Sequence, residues 1–190
     1  MRNPRVTENA RVDGTARVDG DARVDGTALV DGNARVDENA WVGGDAWVDG
    51  NAQVYGNARV DGNAWVGGDA WVGGDALVDG NAQVGGDARV DGNARVDGYA
   101  QVYGYTLVDG NAWITDNAQV GGTAWVSGNA RVSGDAEINS DKDWRFIAPD
   151  LTVYRSRCTE RYEIRNGKGE LISLETLSEV QLAEFFDWFI

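Results

Sequence analysis

Acidic side chains dominate what this sequence offers for chemistry: 31 Asp and Glu against 17 Lys and Arg leave a net charge of −14. Histidine is absent, and Cys158 is the only cysteine. Disulfide frameworks and Cys/His zinc sites therefore cannot be assembled within one chain. General acid–base catalysis would need another strongly perturbed group, so the expectation is no enzyme, no cofactor and no metal. Gly and Asp are dense enough to raise calcium, but calcium-binding β-rolls repeat a nine-residue G-G-x-G-x-D unit. The GGDA stretches at Gly43 to Ala46 and Gly67 to Ala70 lack that spacing and read as turns.

Such acidity disfavours direct binding to nucleic acid or to anionic membranes and suits a basic partner. It is concentrated, with 21 acidic and 10 basic residues in 1–139 against 10 and 7 in 140–190. Asp61, Asp69, Asp75, Asp79 and Asp87 follow one another with no Lys or Arg between them. Duplex DNA is a regular array of such charges, one per ~1.7 Å of axis. One reading is therefore a partial nucleic-acid mimic that inhibits a DNA- or RNA-binding protein by filling its basic groove.

What positions these residues is a six-residue unit close to N-A-R-V-D-G, repeated from Val6 to Ile138 without insertion or deletion. Val or Ile stands at every sixth position, and from Ala10 onward Ala precedes it by two, except at Thr106. Alternation of Ala, a variable residue, Val and a variable residue is a strand with a small inward face. Gly followed by Asn, Asp or Thr supplies the turn, through positive φ at Gly and local hydrogen bonds from the polar side chain. Strands this short cannot bury an apolar edge alone and must stack on later copies as a solenoid.

The pattern V-[DG]-G-[NDT]-A-x resembles the hexapeptide repeat of left-handed parallel β-helix proteins. That resemblance implies a mainly β fold in which three units make one triangular coil. The array then holds seven to eight coils and is about 37 Å long at about 4.8 Å per coil. Many proteins of that superfamily are acyltransferases with a histidine base, and others resemble carbonic anhydrases with histidine metal ligands. Neither activity carries over to a chain without histidine and without a loop between coils. The fold alone names no function.

Sorting the residue before each Val by eighteens gives three outward lanes. The first is Arg5, Arg23, Trp41, Arg59, Leu77, Arg95, Trp113 and Arg131; the third is Arg17, Arg35, Gln53, Trp71, Arg89, Leu107 and Trp125. In both, Trp neighbours Arg on adjacent coils, where a guanidinium can cover an indole. Arg followed two residues later by Asp, as at Arg23 and Asp25, Arg59 and Asp61 or Arg95 and Asp97, implies ion pairs. Trp followed by Gly, as at Trp41 and Gly43 or Trp65 and Gly67, implies a ring that needs room to lie flat.

The second lane runs Arg11, Leu29, Trp47, Trp65, Gln83, Gln101, Gln119 and Glu137 and is uncharged through its middle. A flat, partly apolar stripe of this kind marks a contact surface. Leu29, Trp47, Trp65, Gln83, Gln101, Tyr103 and Gln119 are therefore the candidate contact face. Tyr99, Tyr103 and Tyr105 are read as a cluster around one corner, making Tyr99 and Tyr105 secondary candidates. Aromatic rings on such a face also suit sugar stacking, as in a glycan-binding or virion-surface module.

After Ile138 the hexad stops, which divides the chain into a β-helix over 1–139 and an α+β tail over 140–190. Trp144, Phe146 and Ile147 are expected to cap the last coil, since an open end exposes unpaired strand edges. Leu151 to Arg157, Arg161 to Arg165 and Glu170 to Leu174 read as an antiparallel sheet turning at Asn166-Gly167-Lys168-Gly169. Ser178 and Gln181 form a capping box that opens a C-terminal helix, on which Trp188 projects to the polar side as a third secondary candidate. The N-terminus lacks a secretory signal and no segment could span a membrane, so a soluble, cytoplasmic protein is expected. The resulting expectation is a non-catalytic, self-associating protein-binding or scaffolding protein whose partner has a basic or aromatic-accepting surface.

Overall fold

A computed structural model describes residues 4–7 and 9–138, together with the strand backbones Ile147–Ala148, Leu151–Arg155, Tyr162–Asn166 and Leu171–Ile172. The chain divides into two compact units, Met1–Ser140 and Asp141–Ile190.

The first unit is a parallel β-solenoid of about seven coils. Each hexad yields one two-residue strand, from Arg5–Val6 to Glu137–Ile138. Successive strands join three sheets in rotation, so every strand pairs in parallel with the one eighteen residues later. Sheet 1 holds eight strands from Arg5–Val6 to Arg131–Val132, sheet 2 eight from Arg11–Val12 to Glu137–Ile138, and sheet 3 seven from Arg17–Val18 to Trp125–Val126. The three outward lanes read from sequence are the outer faces of these sheets, residue for residue.

The register is in phase throughout, as Val60 opposite Val78 and Val66 opposite Val84 show. Val24, Val66, Val72 and Val96 are fully buried, as are Ala22, Ala58 and Ala94. Branched Val at one inward column and Ala at the other fill a core too narrow for longer side chains. The first coil is less covered, with Val6 47% exposed and Val12 half-buried.

Hydrogen bonding does not stop where the strands stop. Arg59 N donates to Ala76 O at 2.9 Å, Asp61 N to Val78 O at 2.9 Å and Asn63 N to Gly80 O at 2.7 Å. Three amides of each such hexad thus bond to the next coil, two of them from residues flanking the corner, which leaves few backbone groups unsatisfied. Among the described residues, each corner from Gly14 onward holds one residue in the left-handed region, and that residue is Gly except at Glu38 (φ 63°) and Asp116 (φ 60°). A Cβ on Gly68 would lie 3.0 Å from Gly86 N and O, so close stacking as well as positive φ selects glycine.

In the second unit, Leu151–Arg155 and Tyr162–Asn166 pair antiparallel with Val153 opposite Ile164. Leu171–Ile172 extends one edge and Ile147–Ala148 the other. The expected helix from Ser178, its Trp188, and the capping residues Trp144 and Phe146 lie outside the described residues. Among the described residues no helix is long and apolar enough to cross a membrane.

Candidate functional site

Sheets 1 and 3 engage most of their tryptophans. On sheet 1 the Arg59 guanidinium lies 4.1 Å from the Trp41 ring centroid, and Trp113 sits between Arg95 at 5.4 Å and Arg131 at 4.1 Å. On sheet 3 Arg89 covers Trp71 at 4.9 Å, and Tyr55 meets that ring edge-on with centroids 6.0 Å apart. Trp41 Nε1 donates to Asp25 Oδ1 at 2.9 Å, and Asp25 also pairs with Arg23 Nε at 2.7 Å. The arrangement recurs at Trp113, whose Nε1 donates at 3.1 Å to Asp97, the ion-pair partner of Arg95. These stacks are the expected Arg–Trp contacts, each worth ~0.5–1 kcal/mol at an exposed site.

One expected ion pair is replaced. Arg59 spends its guanidinium on Trp41, while Asp61 Oδ1 accepts Gly62 N at 2.9 Å. Each corner aspartate has this choice. Asp31, Asp79, Asp91 and Asp109 cap the following amide, whereas Asp25, Asp49 and Asp97 accept an indole N–H from the next coil.

Sheet 2 brings Leu29, Trp47, Trp65, Gln83, Gln101 and Gln119 into one outward column, each opposite the next. No charged residue interrupts it between Arg11 and Glu137. The two tryptophans behave differently. Trp47 is 45% exposed, while Trp65 is half-buried, with Nε1 donating to Asp49 Oδ1 at 3.1 Å. Gln83, Gln101 and Gln119 are exposed, and among the described residues no hydrogen bond holds their amides.

Glycine decides which rings lie down. A Cβ on Gly67 would fall 2.3 Å from Trp65 Cζ2, one on Gly43 3.0 Å from Trp41 Nε1, and one on Gly85 3.3 Å from Trp65 Cζ3. Gly73 and Gly121 would each place it 2.3 Å from the ring of Tyr55 or Tyr103. These five are the only described glycines outside the left-handed region, so each is explained by a ring rather than by backbone conformation. The expectation that Trp needs space holds, and it extends to tyrosines one coil below.

The tyrosines do not share one corner. Tyr99 lies in the turn from sheet 1 to sheet 2, whereas Tyr103 and Tyr105 lie in the turn from sheet 2 to sheet 3, so the three bracket the strand Gln101–Val102. Counting along the chain placed them together; assigning the intervening strand to sheet 2 separates them. Their corner is also built differently. Thr106, buried in place of Ala, donates its hydroxyl to Tyr103 O at 2.7 Å, the carbonyl that an amide reaches in most other turns.

The acidic run is dispersed. Asp61 and Asp79 occupy the turn from sheet 1 to sheet 2, Asp69 and Asp87 the turn from sheet 2 to sheet 3, and Asp75 the turn from sheet 3 to sheet 1. Asp69 and Asp75 accept amide protons from Asn51 and Asn57 one coil below, at 2.7 and 2.8 Å. Asn33 donates to Asn51 in the same way. Polar side chains after the turn glycine thus form ladders along the corners, where local bonds were expected. Among the described residues no group of His, Cys, Asp and Glu is placed to hold a metal ion.

Sequence reasoning missed two exposed rings on sheet 3. Trp71 is 38% exposed and Trp125 64%. Trp125 stands opposite Leu107 rather than an arginine, a signal already present in the lane.

A family model described as YdcK Beta solenoid repeat matches residues 52–68. That stretch holds one strand of each sheet, Gln53–Val54, Arg59–Val60 and Trp65–Val66, and so amounts to one coil. No curated protein matches the chain. The fold and this match define a β-solenoid repeat protein.

Proposed function

We propose that the chain is a non-catalytic protein-binding or scaffolding protein that presents sheet 2 to a protein partner and to further copies of itself. One observation carries the reading: Leu29, Trp47, Trp65, Gln83, Gln101 and Gln119 form an uncharged column along an otherwise acidic array. Burying such a column removes apolar area from water without stranding a charge, whereas burying either neighbouring sheet would desolvate arginines. Trp65, fixed by Asp49 and flanked by Gly67 and Gly85, gives the face a rigid floor, and Trp47 beside it supplies the exposed ring. The dispersal of the acidic residues over three corners does not favour mimicry of a nucleic acid.

The test is Trp47→Lys combined with Gln83→Lys, which leaves Trp65 in place. Light scattering should show that wild-type protein exceeds its monomer mass and that the double variant falls towards it. A monomeric wild type, or an unchanged mass and unchanged partner set in the variant, would refute the reading.

A further inference from the structure

Tyr105 and Trp125 are two of the three most exposed aromatic side chains among the described residues, with Tyr99 matching Trp125 at 64% in the turn from sheet 1 to sheet 2, and they are neighbours. Tyr105 is 72% and Trp125 64% exposed. Tyr105 precedes the sheet 3 strand Leu107–Val108 by two residues, and Leu107 is the register partner of Trp125 on the next coil. Both rings therefore stand at the edge of sheet 3 with Leu107 beside them. Round the corner, on sheet 2, the exposed amides of Gln101 and Gln119 lie opposite each other. The ring of Tyr103 lies close over Gly121 of the coil that carries Trp125.

This corner is held rigidly. Tyr105 N donates to Gly122 O at 2.7 Å, and Thr106 Oγ1 to Tyr103 O at 2.7 Å. It is also uncharged: Gln101, Tyr103, Tyr105, Leu107, Gln119 and Trp125 carry no ionisable group near neutral pH, within a chain of net charge −14. The nearest charged residues in these columns are Asp87 below Tyr105, Arg89 below Leu107 and Glu137 above Gln119.

A ligand for such a surface must offer flat C–H faces to the rings and hydroxyls to the amides, and must itself be neutral. Saccharide rings meet all three requirements. Coils spaced about 4.8 Å apart advance at a rate close to that of a polysaccharide per sugar unit, so successive sugars can meet successive coils. A proline-rich peptide would need a groove between aromatic walls, whereas this is the outward corner of a three-sided coil. We infer that the corner formed by Tyr103, Tyr105, Leu107 and Trp125, with Gln101 and Gln119, binds a neutral polysaccharide.

Native electrophoresis of the full chain through gels containing dextran, hydroxyethylcellulose or galactomannan tests this, with calorimetry on whichever polymer retards it. At least one polymer should retard the protein, and its affinity should not change at high salt. Trp125→Ala and Tyr105→Ala should each weaken binding about tenfold while the thermal midpoint stays put, because both rings are exposed. Trp47→Ala, on the face assigned to protein contacts, should bind the polymer as wild type does. Retardation by none of the polymers overturns the inference, as does binding that survives both corner substitutions. Capture of a polyproline peptide with the same dependence on Trp125 and Tyr105, and no retardation by the polymers, also overturns it.

Discussion

Replacing Gly67 with Ala adds one methyl group to an outward position, a change that is neutral on most surfaces. Here the new Cβ would lie 2.3 Å from Trp65 Cζ2, 2.6 Å from its Cε2 and 2.4 Å from Asp49 Oδ1. Gly67 is not in the left-handed region, so the backbone bears no added strain and the whole effect is steric. The indole must lift, breaking its 3.1 Å bond to Asp49. Overpacking of this kind costs about 1–3 kcal/mol. The urea midpoint, followed by far-UV circular dichroism, should fall, and Trp65 fluorescence should shift to the red. Trp65→Gln is the matching background, because Gln101 is followed by Tyr103 at the equivalent position and tolerates a side chain there. In that background Gly67→Ala should be nearly neutral, giving a coupling of about 1–2 kcal/mol. Gly68→Ala is the contrast: with φ +67° and backbone 3.0 Å away, its penalty of about 1–2 kcal/mol should persist whether or not Trp65 is present. If Gly67→Ala costs the same in both backgrounds, the ring does not select that glycine and the fixed floor of the contact face is wrong.

Glu38→Gly should stabilise the array by about 0.5–1 kcal/mol, since a non-glycine residue there sits at φ 63°; a lower urea midpoint would contradict it. Val66→Asp or Val72→Asp places a carboxylate where the side chain is fully buried and should abolish cooperative unfolding in a thermal melt. Thr106→Val should lose about 1–2 kcal/mol in chemical denaturation, because Tyr103 O forfeits the hydroxyl it accepts. Ser127→Gly gives Trp125 the room that Gly43 gives Trp41, with Asp109 placed one coil below as Asp25 is for Trp41. The Trp125 ring should then settle, seen as reduced acrylamide quenching against a Trp125→Phe reference; unchanged quenching would refute the role assigned to that position.

The fold was legible because the inward columns repeat with so little exception. Val and Ala at fixed spacing state both the strand period and the coil register, and the eighteen-residue sorting reproduced all three sheets. The uncharged column of sheet 2 was legible for the same reason. How far each ring stands out was harder to read, because exposure depends on residues two or sixteen to eighteen positions away. Trp47 and Trp65 look alike in the lane, yet Asp49 follows the first and Gly67 the second, and only the second ring lies down. Trp125 was passed over because its lane is rich in arginine, although its own register partner is Leu107. The tyrosine corner was misplaced because proximity in sequence says little where every six residues turn onto another sheet.

The corner aspartates show how a uniform repeat can produce non-uniform surfaces. An aspartate that caps the next amide, as Asp109 caps Gly110, belongs to the turn alone. One that accepts an indole from the next coil, as Asp49 does from Trp65, ties an aromatic ring to the array and leaves it half-buried. Gly two residues after the tryptophan favours the second state, and an arginine stacked on the ring can substitute for it, since Trp113 lies between Arg95 and Arg131 with Thr115 rather than Gly at that position. Rings that have neither aid remain proud of the surface. By that criterion Trp47 on sheet 2 and Trp125 at the edge of sheet 3 are the two tryptophans left for outside contact, and they stand on different faces and more than three coils apart. A single partner reaching both would have to wrap a corner, so two separate contacts, one on each face, account better for where the rings were left exposed.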